Sequence, residues 1–170
     1  APRTAVHAFE PPTRSVEAYR AYVEGIAARS RWDLEVATRA FEAAIRADSG
    51  FALAYYELSQ VLLPTEFLSD SRRFVGLADT AFALAANRPP REQLMLEAYH
   101  AWVHADFPRA RTLYERVLAM DSTLADAWSG LGDAAQFDLT LRRDARGRDS
   151  LAASYTLAKR AYEKALALDA

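Results

Sequence analysis

The sequence predicts an all-α chain built as a stack of about four antiparallel helix pairs, and three observations lead there. Alanine, the strongest helix former, makes up about a fifth of the 170 residues. Only six glycines and seven prolines punctuate the chain. One spacing of small and aromatic residues returns four times in register, as Ala37/Phe41/Ala44, Ala78/Phe82/Ala85, Ala110/Tyr114/Val117 and Ala158/Tyr162/Ala165. A recurrence of this kind marks stacked helix pairs, because no single pair buries its apolar face alone.

The elements follow in order from caps and breakers. A first helix is expected over 15–30, with Ser15 as N-cap and Gly25 as its small residue. Asp33 caps a second over 33–47, and Asp48 closes the unit. A third over 51–63 carries Tyr55, Leu58 and Ser59, and a fourth spans 70–87. Pro89 and Pro90 start the fifth, over 90–104, where a missing N–H costs little. Asp106 caps the sixth, over 107–120. Thr123 with Asp126 reads as a capping box for the seventh, over 123–137, which carries Trp128, Leu131 and Gly132. The eighth spans 150–168. The spacing lengthens around Pro64–Ser71 and around Leu139–Ser150, and both insertions are expected as loops between the helices of one pair. The units run over about 15–50, 51–89, 90–122 and 123–170, after an extended segment 1–14 containing Phe9, Pro11 and Pro12. That segment reads either as a linker or as a strap docked through Phe9.

The predicted packing is steric. Helices approach closely only at small residues, here Gly25, Ser59, Ala98 and Gly132, and the rings of Phe41, Phe82, Tyr114 and Tyr162 fill the gap to the next pair.

Composition narrows the function. A net charge of −2 gives no electrostatic reason for a nucleic-acid or anionic-membrane partner. No apolar run approaches membrane-spanning length, so no membrane insertion is expected of this chain. Without cysteine, disulfides, thiolate catalysis and Cys-ligated zinc are excluded, and the compartment stays open between the cytoplasm and an exported part of a membrane-anchored regulator. Lysine occurs only at Lys159 and Lys164, and the Ala- and Arg-rich balance fits a GC-rich bacterial genome.

Trp128-x2-Leu131-Gly132 and the four alanine–aromatic spacings resemble the tetratricopeptide repeat family over about Ser15–Ala170. The stretches 17–25 and 51–58 are more narrowly similar to repeat regions of large bacterial regulators, among them serine/threonine kinases, adenylate cyclases and transcriptional activators. The resemblance implies a right-handed α-solenoid, a non-catalytic protein–protein interaction scaffold, and no cofactor. No kinase signature accompanies it. The chain starts without methionine and stops after Leu168-Asp169 without a polar capping helix. The expectation is a piece of a longer protein whose uncapped last helix favours self-association.

The resemblance also implies a concave groove lined by one stripe of the first helix of each pair. The first pair offers Tyr19, Tyr22, Ile26 and Arg29, and the second Leu53, Tyr56, Gln60 and Leu63. The third offers Glu92, Met95, Tyr99, Trp102 and Val103, and the fourth Asp126, Ser129, Asp133 and Gln136. This stripe departs from the carboxylate-clamp subclass, whose groove carries Lys, Asn and Arg, so binding of a chaperone tail is not expected. The expected partner is a protein or peptide segment, with Tyr22, Tyr56 and Tyr99 as anchors. The same rings at helical spacing also fit packing against neighbouring helices. A small-molecule or metal sensor using the groove is the alternative function.

Chemistry is sparse. His100 and His104 share a helix face near Asp106, as metal-binding pairs do, but the glutamate of a zinc protease is absent and Asp106 already serves as a cap. The carboxylates Glu92, Glu97, Asp126 and Asp133 read as a solvated face. The cluster Arg142, Arg143, Arg146 and Arg148 reads as a solvated loop rather than a phosphate site. No nucleophile elbow, phosphate loop or dinucleotide fingerprint is present.

Overall fold

A computed structural model describes residues 12–66, 71–143, 145–147 and 149–169. Among the described residues eight α-helices form in chain order: α1 (Val16–Ser30), α2 (Leu34–Ala47), α3 (Ala52–Glu66), α4 (Arg72–Ala83), α5 (Pro90–Val103), α6 (Phe107–Met120), α7 (Ala125–Phe137) and α8 (Tyr155–Leu168). Each packs on its neighbours in sequence, so the chain is an all-helical succession of pairs. Ser15, Asp33 and Asp106 cap α1, α2 and α6 through their side chains, as expected. Leu124, not Thr123, precedes α7. The Thr123 hydroxyl donates instead to Asp121 Oδ1 at 2.6 Å, so the expected capping box does not form.

The turns carry the repetition most plainly. Arg31 and His104 end α1 and α5, and the next residues, Trp32 and Ala105, both take positive φ, at 60° and 59°. Their backbone N–H groups donate to the carbonyls of Arg29 and Trp102, each at 2.9 Å, and Asp33 and Asp106 then cap the next helices. The connections from α2 to α3 and from α6 to α7 match as well. Asp48 and Asp121 each accept, on Oδ1, the N–H of the second residue onward, at 2.9 and 3.0 Å. A left-handed non-glycine residue costs roughly 1–2 kcal/mol. Exposed Ala105→Gly is therefore expected to stabilise the fold by about 1 kcal/mol, read as a rise in the urea midpoint; an unchanged or lower midpoint contradicts it.

Apolar clusters of the described residues bridge successive pairs. Phe41, Leu58, Val61 and Phe74 join the first to the second. Tyr56, Ala81, Leu96 and Tyr99 join the second to the third, and Tyr114, Val117, Leu131 and Ala161 join the third to the fourth. The small residues are needed where rings cross them. A Cβ built on Gly25 would lie 2.5 Å from Phe41 Cε1, and one on Gly132 would lie 2.6 Å from Tyr162 Cε1. Tyr114 lies across Gly130 of the following pair and shares a cluster with Ala98.

Phe82 is the exception. It is 37% exposed and stacks on His100, with centroids 4.4 Å apart. Ser59, unlike Gly25 or Gly132, carries a hydroxyl that donates to Phe74 O at 2.7 Å and sits 2.9 Å from Tyr99 Oη. The longer connection before α4 thus brings Phe74 to the level of Ser59, and the tyrosine of the third pair takes the place expected for Phe82.

Two insertions differ from expectation. α3 continues through Pro64 to Glu66. The helix expected over 70–87 is α4 followed by a separate 3-10 turn at Leu84–Asn87. In the fourth pair the insertion is not a plain loop but a two-stranded antiparallel hairpin, β1 (Leu141–Arg143) with β2 (Asp149–Leu151), and α8 starts only at Tyr155. The Arg143 guanidinium reaches both oxygens of Asp149 across it, at 2.7 and 3.0 Å, which gives part of the basic cluster a structural role. At the other end Thr13 donates a hydrogen bond to the Asp48 carboxylate, tying the chain before α1 to the end of α2. The expected docking of Phe9 lies outside the described residues.

Candidate partner-binding cleft

The first helices of the four pairs, α1, α3, α5 and α7, face a shared cleft. Its wider part is a cavity of about 340 Å³ lined by Arg29, Leu53, Tyr56, Arg91, Glu92, Met95 and Asp126, with Leu168 and Asp169 at its edge. A narrower part of about 80 Å³ lies against Tyr56, Gln60, Leu63, Tyr99, Trp102, Ser129 and Asp133. Most of the stripe expected on α3, α5 and α7 is therefore brought together.

The α1 part of the stripe behaves differently. Tyr22 packs between Phe41 and Phe51, with ring centroids 5.8 and 4.9 Å away, and Ile26 joins the same core. Tyr19 is exposed and lines neither part of the cleft. Only Arg29 of α1 reaches the cavity. Tyr56 and Tyr99 line the narrow part but are each only 5% exposed, packed edge to face at 5.1 Å. They are walls rather than free anchors. A periodic aromatic stripe cannot tell a wall from an anchor, because both recur at helical spacing.

Ion pairs draw the cleft together. Arg29 lies 3.3 Å from Asp126 on α7 and 3.3 Å from Glu57 on α3. Glu57 is buried, and its carboxyl is pushed up to about 7. Loss of water is the largest cause; Asp126 adds to it, while Arg29 and a hydrogen bond from Tyr22 oppose it. The Arg29 contact lacks hydrogen-bonding geometry, and Glu57 Oε2 has no hydrogen-bond partner among the described residues. Burial likewise raises Asp133, against a 2.6 Å hydrogen bond from Tyr162 Oη. Nothing in the sequence marks Glu57, one residue past a stripe position in an apolar helix.

Gln60 Nε2 and Trp102 Nε1 are likewise buried without a hydrogen-bond partner among the described residues. Both belong to side chains that line the narrow part, beside the carboxylates of Asp126 and Asp133. The chain matches no protein-family model and no curated protein. The other carboxylates singled out in the sequence are engaged locally, Glu92 with Arg88 at 2.9 Å and Glu97 with Arg109 at 2.7 Å. No described helix is long and apolar enough to cross a membrane.

The histidines lie apart from the cleft. His100 and His104 both turn toward Asp79 of α4, their Nε2 atoms 3.2 and 2.7 Å from its Oδ1. Asp106, the expected neighbour, caps α6 and stays out of the group. Burial, and then the neighbouring His104, lower the His100 pKa, which keeps its ring neutral near pH 7. Sequence alone gives no sign of Asp79, because it arrives from another helix pair.

Proposed function

We propose that this chain is a non-catalytic protein-interaction module of the tetratricopeptide type, part of a larger bacterial regulatory protein, that holds an extended segment of a partner in the cleft. The observation that carries the reading is the pair of buried, unpartnered donors, Gln60 Nε2 and Trp102 Nε1, on side chains at the cleft floor. Each buried donor left unpaired costs roughly 1–3 kcal/mol. An extended peptide presents backbone carbonyls that pair such donors, and its N–H groups suit the acceptors Asp126 and Asp133 beside them. Leu53, Tyr56 and Met95 in the wider cavity offer apolar contact to one large side chain.

The test selects peptides from a random display library against the immobilised chain and measures their affinity by titration. Trp102→Phe removes the N–H together with the five-membered part of the indole. It is expected to weaken selected peptides about tenfold, equivalent to about 1.4 kcal/mol. Peptides that bind Trp102→Phe and Gln60→Ala as tightly as the parent would overturn the proposal. A library yielding no binder, together with a small metabolite that raises the melting temperature, would favour the sensor alternative.

A further inference from the structure

Three side chains from two helix pairs converge away from the cleft. Asp79 comes from the middle of α4, and His100 and His104 lie one turn apart at the end of α5. One ligand atom from each residue falls within 4.8 Å of the others. For metal–ligand bonds of 2.0–2.1 Å the edge of a tetrahedron is about 3.3 Å; the His100 Nε2–Asp79 Oδ1 separation of 3.2 Å matches it, and the hydrogen-bonded His104 separation of 2.7 Å must open by about 0.6 Å to admit an ion. The ring of His100 is set by stacking on Phe82, and His104 lies against His100 with centroids 4.6 Å apart. The exposed Phe82 ring thus serves as a shelf for His100 of the next pair.

We propose that Asp79, His100 and His104 form a binding site for a divalent transition-metal ion of the zinc class, clamping the second helix pair to the third. Imidazole nitrogen with one carboxylate suits such ions and not magnesium or calcium, which prefer all-oxygen shells. Two histidines four apart on a helix project to one side, so both Nε2 atoms reach one ion. The Asp79 carboxylate can only accept, so the 2.7 Å hydrogen bond to His104 is donated from Nε2 of that ring. A metal ion needs the ring proton on Nδ1, so binding moves it there in His104, frees the Nε2 lone pair and leaves Asp79 as the anionic ligand. Asp79 and His104 are about half exposed, so solvent can complete the coordination.

The experiment titrates the chelator-treated full chain with zinc chloride at pH 7 in a calorimeter, and with cobalt(II) in a spectrophotometer. The expected result is one ion per chain with a Kd on the order of micromolar, and a cobalt band in the visible of tetrahedral intensity. Zinc is expected to raise the melting temperature and a chelator to reverse it. Asp79→Asn and His104→Gln keep the shape of the side chains and are each expected to weaken binding roughly tenfold or more. His7→Ala, in the segment outside the described residues, is expected to leave it unchanged. The assignment is overturned by an absence of binding at millimolar zinc, by Asp79→Asn binding as tightly as the parent, or by loss of binding in His7→Ala. Magnesium binding as tightly as zinc would also overturn it. Neither the titration nor the cobalt band depends on whether the cleft binds peptide.

Discussion

Phe41→Ala is expected to remove about 4 kcal/mol of folding stability, because the ring is fully buried between the first two helix pairs. The more discriminating result concerns its partner, Gly25. In the parent, Gly25→Ala places a methyl 2.5 Å from the Phe41 ring, and overpacking there is expected to cost about 2 kcal/mol net. That holds even though alanine is about 1 kcal/mol the better helix former. In the Phe41→Ala background the obstruction is gone, and the same substitution is expected to stabilise by about 1 kcal/mol. A reversal of sign between the two backgrounds, measured by urea denaturation, identifies ring-on-glycine contact as the force holding the pair together. Equal effects in both backgrounds would show that Gly25 is required for some other reason.

The second large effect is on pH dependence. Glu57 rises from an ordinary value of 4.5 to about 7 in the folded chain. Between these values the native state holds a proton that the unfolded chain has lost. The stability this group contributes is therefore fully present below pH 4.5 and disappears as pH rises through 7. The loss is about 3 kcal/mol. His100 works in the opposite sense, since its pKa is lowered on folding, so the informative quantity is the difference between parent and variant. Glu57→Gln is expected to gain about 2 kcal/mol over the parent at pH 8 and little at pH 5. A gap of constant size across that range would mean that Glu57 is ionised throughout.

Much of the scaffold was legible because its determinants are local or periodic. Ser15, Asp33 and Asp106 announce helix starts through side chains that reach their own backbone. Gly25 with Phe41, and Gly132 with Tyr162, announce close approach because only a missing side chain makes room for a ring. The misreadings share a physical origin. Phe82 matches the spacing of Phe41, but what decides its position is the level at which α4 crosses α3, and the connection before α4 resets that level. Thr123 has the chemistry of a cap, yet Asp121 lies two residues away and takes its hydroxyl first.

The cleft divides along the same line. The stripe on α3, α5 and α7 was readable as a helical face, whereas the burial of Tyr22 depends on Phe51 arriving from the next pair. Glu57, Asp79 and the two unpaired donors become visible only in three dimensions. Their character lies in what surrounds them, and that surrounding comes from other helices.

The contact between Arg29 and Asp126 joins residues 97 positions apart. An open array of repeats behaves like a row of dominoes, in which each unit feels only its neighbours and the ends fray first. Here a side chain of the opening unit also reaches one of the closing unit, across the mouth of the cleft. Loosening at either end is felt at the other, and widening the mouth for a bulky guest means breaking that contact.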